Sequence, residues 1–251
     1  MTTAFSPAAR AAPPRRLNGT HARMSVHLLS GFQLTSGGNV VHLPYSVERV
    51  VAYLALARGP IGRSRVAGAL WPDIPERRAS GALRSALWRL QRQCGVIERD
   101  DHALGLAPNV AVDLTDLAEL TRALIAGAEP SALQRLPDLV DGAEILPGWD
   151  EEWLVIERER YRLLRLRALE QAGETFLAAN DPARAMEASL ASLSTEPYRE
   201  SAHRLLVRIH LAEGNRSEAL RAYRVYCRIL EEELGIRPSI EMERLIATIR
   251  G

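Results

Sequence analysis

The chain has 251 residues, 47% of them hydrophobic, and a formal net charge of +1, which suits one large or two modest domains with real cores. No apolar run approaches the roughly 18 residues a membrane-spanning helix needs. All 32 basic residues are arginine, so chemistry that needs a P-loop, Schiff-base or kinase-type lysine is excluded.

The near-neutral total hides an asymmetry. Residues 1–23 carry 4 Arg and no acid, residues 24–113 carry 10 Arg against 7 Asp and Glu, and residues 114–251 carry 18 Arg against 24 acids. A basic front and an acidic back fit an N-terminal nucleic-acid surface with a C-terminal partner surface. The segment 1–23 is rich in Ala, Pro and Arg and has no apolar stretch, so it reads as a disordered basic tail rather than a secretory signal.

From Ser25 to Leu43 the pattern is strand-like. Val26–Leu29 and Phe32–Leu34 are followed by a Ser36-Gly37-Gly38-Asn39 turn and Val40–Leu43, the signature of a hairpin. Helices take over next. Ser46 is the expected cap of the first, with Val47, Val50, Val51, Leu54 and Ala55 on its apolar face up to Gly59-Pro60; Ser64 is the expected cap of the second. Pro72-Asp73-Ile74-Pro75 forms a loop, and a third helix runs from about Glu76 to Gln93. Val96–Arg99, a polar Asp100-Asp101-His102 tip and Ala103–Leu106 make a second hairpin, and Val110–Asp113 adds a strand. Strands, three helices, then a hairpin is the order of a winged helix-turn-helix.

Beyond Asp113 every segment reads as helix: 114–126, 131–139, a long helix from about Glu151 to Ala179, then 182–193, 198–213, 216–234 and 240–249. Within this half Leu177 aligns with Leu211, Ala178 with Ala212, Ala185 with Ala219, and Asn180-Asp181 with Gly214-Asn215, a spacing of 34. That is the tetratricopeptide period, and such helix pairs stack because none buries its apolar face alone. The expected architecture is therefore mainly α with a small β component: a tail (1–23), a winged helix-turn-helix domain (24–113), and an all-α tetratricopeptide-like domain (114–251) serving docking or dimerisation.

The third helix carries the chemistry. Ala79, Ala82, Leu83, Ala86, Leu87 and Leu90 recur at helical spacing and form the buried stripe. The opposite face carries Arg77, Gly81, Arg84, Ser85, Trp88 and Arg92, flanked by Arg78 and Arg89. An arginine-rich face of this kind suits a major groove, because a guanidinium fork matches two guanine acceptors or a phosphate. Trp88 has two readings: contact with a sugar or thymine methyl, or partial burial against the wing. The wing itself is poorly suited to DNA, since its acidic tip repels phosphate and Arg99 is its one basic residue.

The runs Gly62–Asp73, Ala79–Leu90 and Val110–Asp113 resemble the OmpR-like winged helix of SARP-type transcriptional activators. The acidic half resembles their bacterial transcriptional activator domain at Glu157–Arg160, Glu218–Tyr223 and Glu233–Pro238. The resemblance covers about residues 25–249. It implies a cytoplasmic transcription factor that binds direct repeats in double-stranded DNA upstream of promoters, usually as a pair, and recruits RNA polymerase. By carry-over Arg84, Ser85, Trp88 and Arg92 face DNA, and the loop Pro72, Asp73, Ile74 to Glu76 is the candidate polymerase contact. Some relatives carry an added NTPase or receiver domain; 251 residues leave room for neither.

Other constellations are set aside. His203 and His210 lack a third ligand at metal spacing, no Gly-x-Ser-x-Gly elbow frames a nucleophile, and Cys94 and Cys227 read as small apolar side chains. Trp149 and Trp153 near Tyr161 read as core anchors of the long helix. No cofactor, metal or enzymatic activity is expected. The rival reading, motivated by the acidic wing tip and near-neutral charge, is a helical-repeat scaffold whose winged helix binds protein; steep salt dependence is the mark of DNA binding.

Overall fold

The computed structural model describes residues 24–57, 59–100, 102–127, 130–141 and 144–250; the expected basic tail and Asp101 of the wing tip lie outside these described residues. The chain is mainly α-helical with a small β component, a winged helix-turn-helix followed by an all-α tetratricopeptide-like part. It divides into two units. One holds residues 24–115 together with 144–154, and the other holds 116–141 with 155–250.

In the first unit β1 (Met24–His27), β2 (Gln33–Ser36) and β3 (Asn39–Val41) form an antiparallel meander, and β7 (Val110–Val112) joins β1 in parallel, giving the order β3-β2-β1-β7. The β2–β3 turn is tight because Gly37 and Gly38 both take positive φ, 56° and 85°, which side chains disfavour and primed hairpin turns require. Three helices follow: α1 (Tyr45–Leu56), α2 (Arg63–Leu70) and α3 (Glu76–Gln93). The wing is β5 (Ile97–Arg99) paired with β6 (Ala103–Leu106), and β6 also pairs with the two-residue strand β4 (Ile61–Gly62) that leads into α2. Val26, Leu34, Val50, Leu54, Val66, Leu70, Leu87, Leu90 and Leu104 are buried in the core.

Both expected serine caps are corrected. α1 begins after Pro44, whose fixed φ of −64° and free carbonyl start the helix by accepting from Val47 and Glu48. α2 begins after Gly62, straight out of β4, and in neither helix does a side chain cap the N-terminus. Asp113, expected to end a strand, is the first residue of α4 (Asp113–Ile125). Its buried carboxylate accepts from the backbone N–H groups of Leu28 (3.0 Å), Leu29 (3.1 Å) and Leu114 (2.7 Å). One side chain thus satisfies the end of β1 and the first turn of a helix.

The second unit is helical throughout its described residues. The single helix expected over 131–139 is two, α5 (Pro130–Gln134) and α6 (Leu136–Val140), because Pro137 has no N–H to continue the ladder. Arg165, buried within α7 (Glu152–Ala178), donates to the carbonyls of Leu139 (2.8 Å) and Val140 (3.1 Å) and to Thr195 Oγ1 (2.7 Å). It thereby satisfies acceptors that the end of α6 leaves open.

The 34-residue repeat is visible in the backbone. α7 ends and α8 (Pro182–Thr195) begins around Asn180, at φ 60°; α9 (Glu200–Ala212) ends and α10 (Arg216–Leu234) begins around Gly214, at φ 75°. These two turn residues are 34 apart, and Asn and Gly are the residues that tolerate the left-handed region. α10 stops at Gly235, φ 64°, whose N–H bonds back to Glu231 while that of Ile236 reaches Leu230. α11 (Ile240–Arg250) then folds back, so that Val207, Ala219, Tyr226, Leu230, Met242 and Ile246 share one core.

Two expectations follow. Asp113→Ala leaves three backbone donors without their acceptor, and chemical denaturation should show a loss of about 2–4 kcal/mol. In the second unit His203 stacks on Tyr226 and its Nε2 donates to the Pro197 carbonyl at 2.8 Å. Burial pushes its imidazole below the ordinary range, against the opposing pulls of Pro197 and Glu200. A depressed histidine contributes stability above its unfolded pKa of about 6.5 that is lost as pH falls from there toward the folded value. The melting temperature should therefore drop across that window, and more steeply in the wild type than in His203→Gln.

Candidate nucleic-acid interface

α3 is amphipathic over its whole length. Ala79, Leu83, Ala86, Leu87 and Leu90 are buried, while Ala82 is half-buried. Arg77, Arg78, Arg84, Ser85, Trp88, Arg89 and Arg92 are all exposed. Among the described residues no carboxylate pairs with any of these five arginines, and α3 has a single acid, Glu76. The face therefore presents unneutralised positive charge along five helical turns.

Trp88 is 58% exposed, which excludes the reading that buries it against the wing. The Arg92 guanidinium lies over its ring at 4.9 Å from the centroid. The Arg84 side chain folds back along the helix over the turn before it. Gly81 has no side chain, Arg84 Nη2 lies 3.7 Å from where a Cβ of Gly81 would stand, and Ser85 Oγ donates back to the Gly81 carbonyl at 3.1 Å.

The loop ahead of α3 is exposed at Pro72, Asp73, Ile74 and Pro75, and so is Glu76 in the first turn. Arg63 ties the wing to the start of α2: its Nη2 donates to the Asp100 carbonyl at 3.4 Å and its N–H to the His102 carbonyl at 3.2 Å. The side chains of Asp100 and His102 are exposed. Among the described residues no group of three or more His, Cys, Asp or Glu is arranged to hold a metal ion, and no helix is long and apolar enough to cross a membrane.

What holds the helix-turn-helix is a residue that sequence reasoning passed over. Arg49 on α1 is only 16% exposed, and Glu151, its partner, only 9%. The ion pair closes at 2.5 Å, and Arg49 Nη2 also donates to Glu151 Oε2 (2.8 Å) and to the carbonyl of Leu70 at the end of α2 (2.5 Å). The guanidinium lies over the Tyr45 ring at 5.9 Å and the Trp71 ring at 5.8 Å. Glu151 further accepts from Tyr45 Oη (3.0 Å) and Trp153 Nε1 (2.9 Å).

The segment around Glu151 is stitched to the sheet as well. Leu29 bridges Ile145, Ser30 N–H donates to the Glu144 carbonyl, and Leu146 N–H donates to the Leu28 carbonyl. Trp149 packs on Phe32 and Tyr45, and Trp153 on Tyr53. Trp153, in the first turn of α7, anchors the start of the long helix as the sequence suggests, while Trp149 lies ahead of that helix and anchors the first unit. No local pattern reveals this, because the partners are about a hundred residues apart. Glu151→Ala strands a buried guanidinium, and the first unit should lose about 3–5 kcal/mol in a denaturant titration.

Comparison with known proteins adds three findings. A sequence profile of the bacterial transcriptional activator domain matches residues 114–250. The chain is similar to the regulatory protein AfsR of Streptomyces coelicolor, 32% identical over 201 residues, and to AfsR of Streptomyces griseus, 30% identical over 199 residues; each match covers 73% of this chain and 20% of the relative. The chain therefore spans about a fifth of the length of the relatives it matches. Among solved structures it resembles Mycobacterium tuberculosis EmbR, determined in complex with a low affinity phosphopeptide, with a TM-score of 0.77 and 22% identity over 91% of this chain and 65% of EmbR. At that identity the likeness to EmbR is one of fold.

Proposed function

The chain belongs to the bacterial transcriptional activator domain family of SARP-type regulators, and from that premise we propose that it is a sequence-specific, double-stranded-DNA-binding transcriptional regulator, working as an activator. The observation that carries this reading is the α3 face, where five exposed arginines stand without carboxylate partners on the second helix of a helix-turn-helix. In this docking mode the second helix enters the major groove. Arg84 and Arg92 lie on the centre of the face and read base edges. Arg78 and Arg89 flank the face and Arg77 lies at its N-terminal end; these three meet phosphates, where a charge fixes register without reading sequence.

The helical unit supplies pairing. On this reading two copies occupy direct repeats, and the exposed loop Pro72–Glu76 is left free to meet RNA polymerase. Contacts within the helical unit support its role as a protein-facing part rather than a second DNA surface. Several of its arginines are neutralised from inside: Arg162 by Glu159 and Glu196, Arg199 by Glu170, and Arg208 by Glu174. The protein acts in the cytoplasm and needs no cofactor on this reading.

Two classes of substitution separate the roles. Arg84→Ala and Arg92→Ala should each cost about 1–3 kcal/mol on the preferred site and narrow the gap between specific and random DNA. Arg77→Ala and Arg89→Ala should weaken binding to all sequences alike and lower the slope of log K against log salt by about one each. Fluorescence anisotropy on both DNA classes at several salt concentrations reads both effects. Equal affinity for wild type and all four variants would remove α3 as the DNA surface and favour a protein-binding scaffold.

A further inference from the structure

We propose that Trp88 and Arg92 act as one reading unit that recognises a thymine beside a guanine, the thymine by its 5-methyl group and the guanine by its O6 and N7. The inference rests on the DNA-binding reading above and deepens it by naming part of the sequence read.

Trp88 is the anomaly on α3. Its neighbours Ala86, Leu87 and Leu90 are buried, yet the largest apolar side chain of the helix stands in solvent among Gly81, Arg84, Ser85 and Arg92. An indole carries one N–H donor and no charge, so it adds little to phosphate attraction. What it offers is apolar surface, and in the major groove the apolar group displayed by base pairs is the thymine methyl.

Arg92 gives the pairing its direction. Placed four residues after Trp88, it lies one turn further along the same face, and its guanidinium rests on the indole. Stacking covers one face of the ring and fixes the plane of the fork, so less freedom is lost when the fork meets two acceptors. Four residues rise about 6 Å along a helix, and successive bases are about 3.4 Å apart on a strand. The guanidinium lies 4.9 Å from the indole centroid, closer than that helical rise, so the two tips address neighbouring base pairs.

The test starts from the DNA motif the purified protein selects from random duplexes. Each thymine of that motif is replaced singly by deoxyuridine, which removes only the methyl group, and each guanine singly by 7-deazaguanine, which removes N7. The expected result is one thymine at which the wild type binds about fourfold more weakly without the methyl, the worth of one buried methyl group, while Trp88→Ala and Trp88→Gln are indifferent there. At an adjacent base pair the 7-deaza substitution should weaken the wild type and leave Arg92→Ala unchanged. Circular dichroism of the variants should show that both Trp88 substitutions retain the fold.

A motif bound tightly with no methyl-sensitive thymine would overturn the inference alone and leave Trp88 on a deoxyribose. A methyl-sensitive thymine that stays sensitive in both Trp88 variants would do the same. Selection of no motif at all would overturn the DNA reading and this inference together.

Discussion

The first unit depends on one buried cation. Arg49 is held between two aromatic rings, ion-paired to Glu151 and bonded to the last carbonyl of α2. A charge so enclosed is tolerated only if it is fully paired. Satisfying it joins three parts of the chain at one point: α1, the end of α2, and the segment 144–154. Fixing the end of α2 also fixes where the turn into α3 begins, and so which way the arginine face points. Asp113 does the complementary job at the sheet, tying β1 to the start of α4 through three backbone donors. The winged helix is thus completed by residues well outside its own continuous stretch of sequence.

Charge is used differently in the two units. In the helical unit arginines meet glutamates across neighbouring helices, and Glu200 alone gathers Arg204, Tyr226 and Ser239. Such pairs set the register between stacked helices more than they add stability. On α3 the arginines meet no carboxylate among the described residues. A protein with a formal charge of only +1 therefore keeps a concentrated positive strip, since among the described residues no acid pairs with the arginines of α3. Local arrangement, rather than net charge, equips α3 for a polyanion.

Much of this was legible in the sequence because it is local. The stripe Ala79–Leu90 and the opposite arginine face follow from helical periodicity, and the 34-residue spacing is set by short-range turn geometry at Asn180 and Gly214. The exposed state of Trp88 was one of two readings, since periodicity places a residue on a face without saying what approaches it. Long-range pairing was not legible. Arg49 and Glu151 are 102 residues apart, and Asp113 and Leu28 are 85 apart; each carries no pattern of its own. The serine caps failed for a related reason. Pro44 and the pairing of β4 with β6 start those helices earlier than side-chain preference alone suggests.

The measurement that bears most directly on the account is selection of genomic DNA fragments by the purified protein at low and high salt, followed by sequencing. The account predicts enrichment of a short motif arranged as direct repeats at low salt, with recovery falling steeply at high salt as counterion release gains less entropy. Recovery at background level under both conditions would contradict it, and would leave the arginine face of α3 as a surface for something other than DNA.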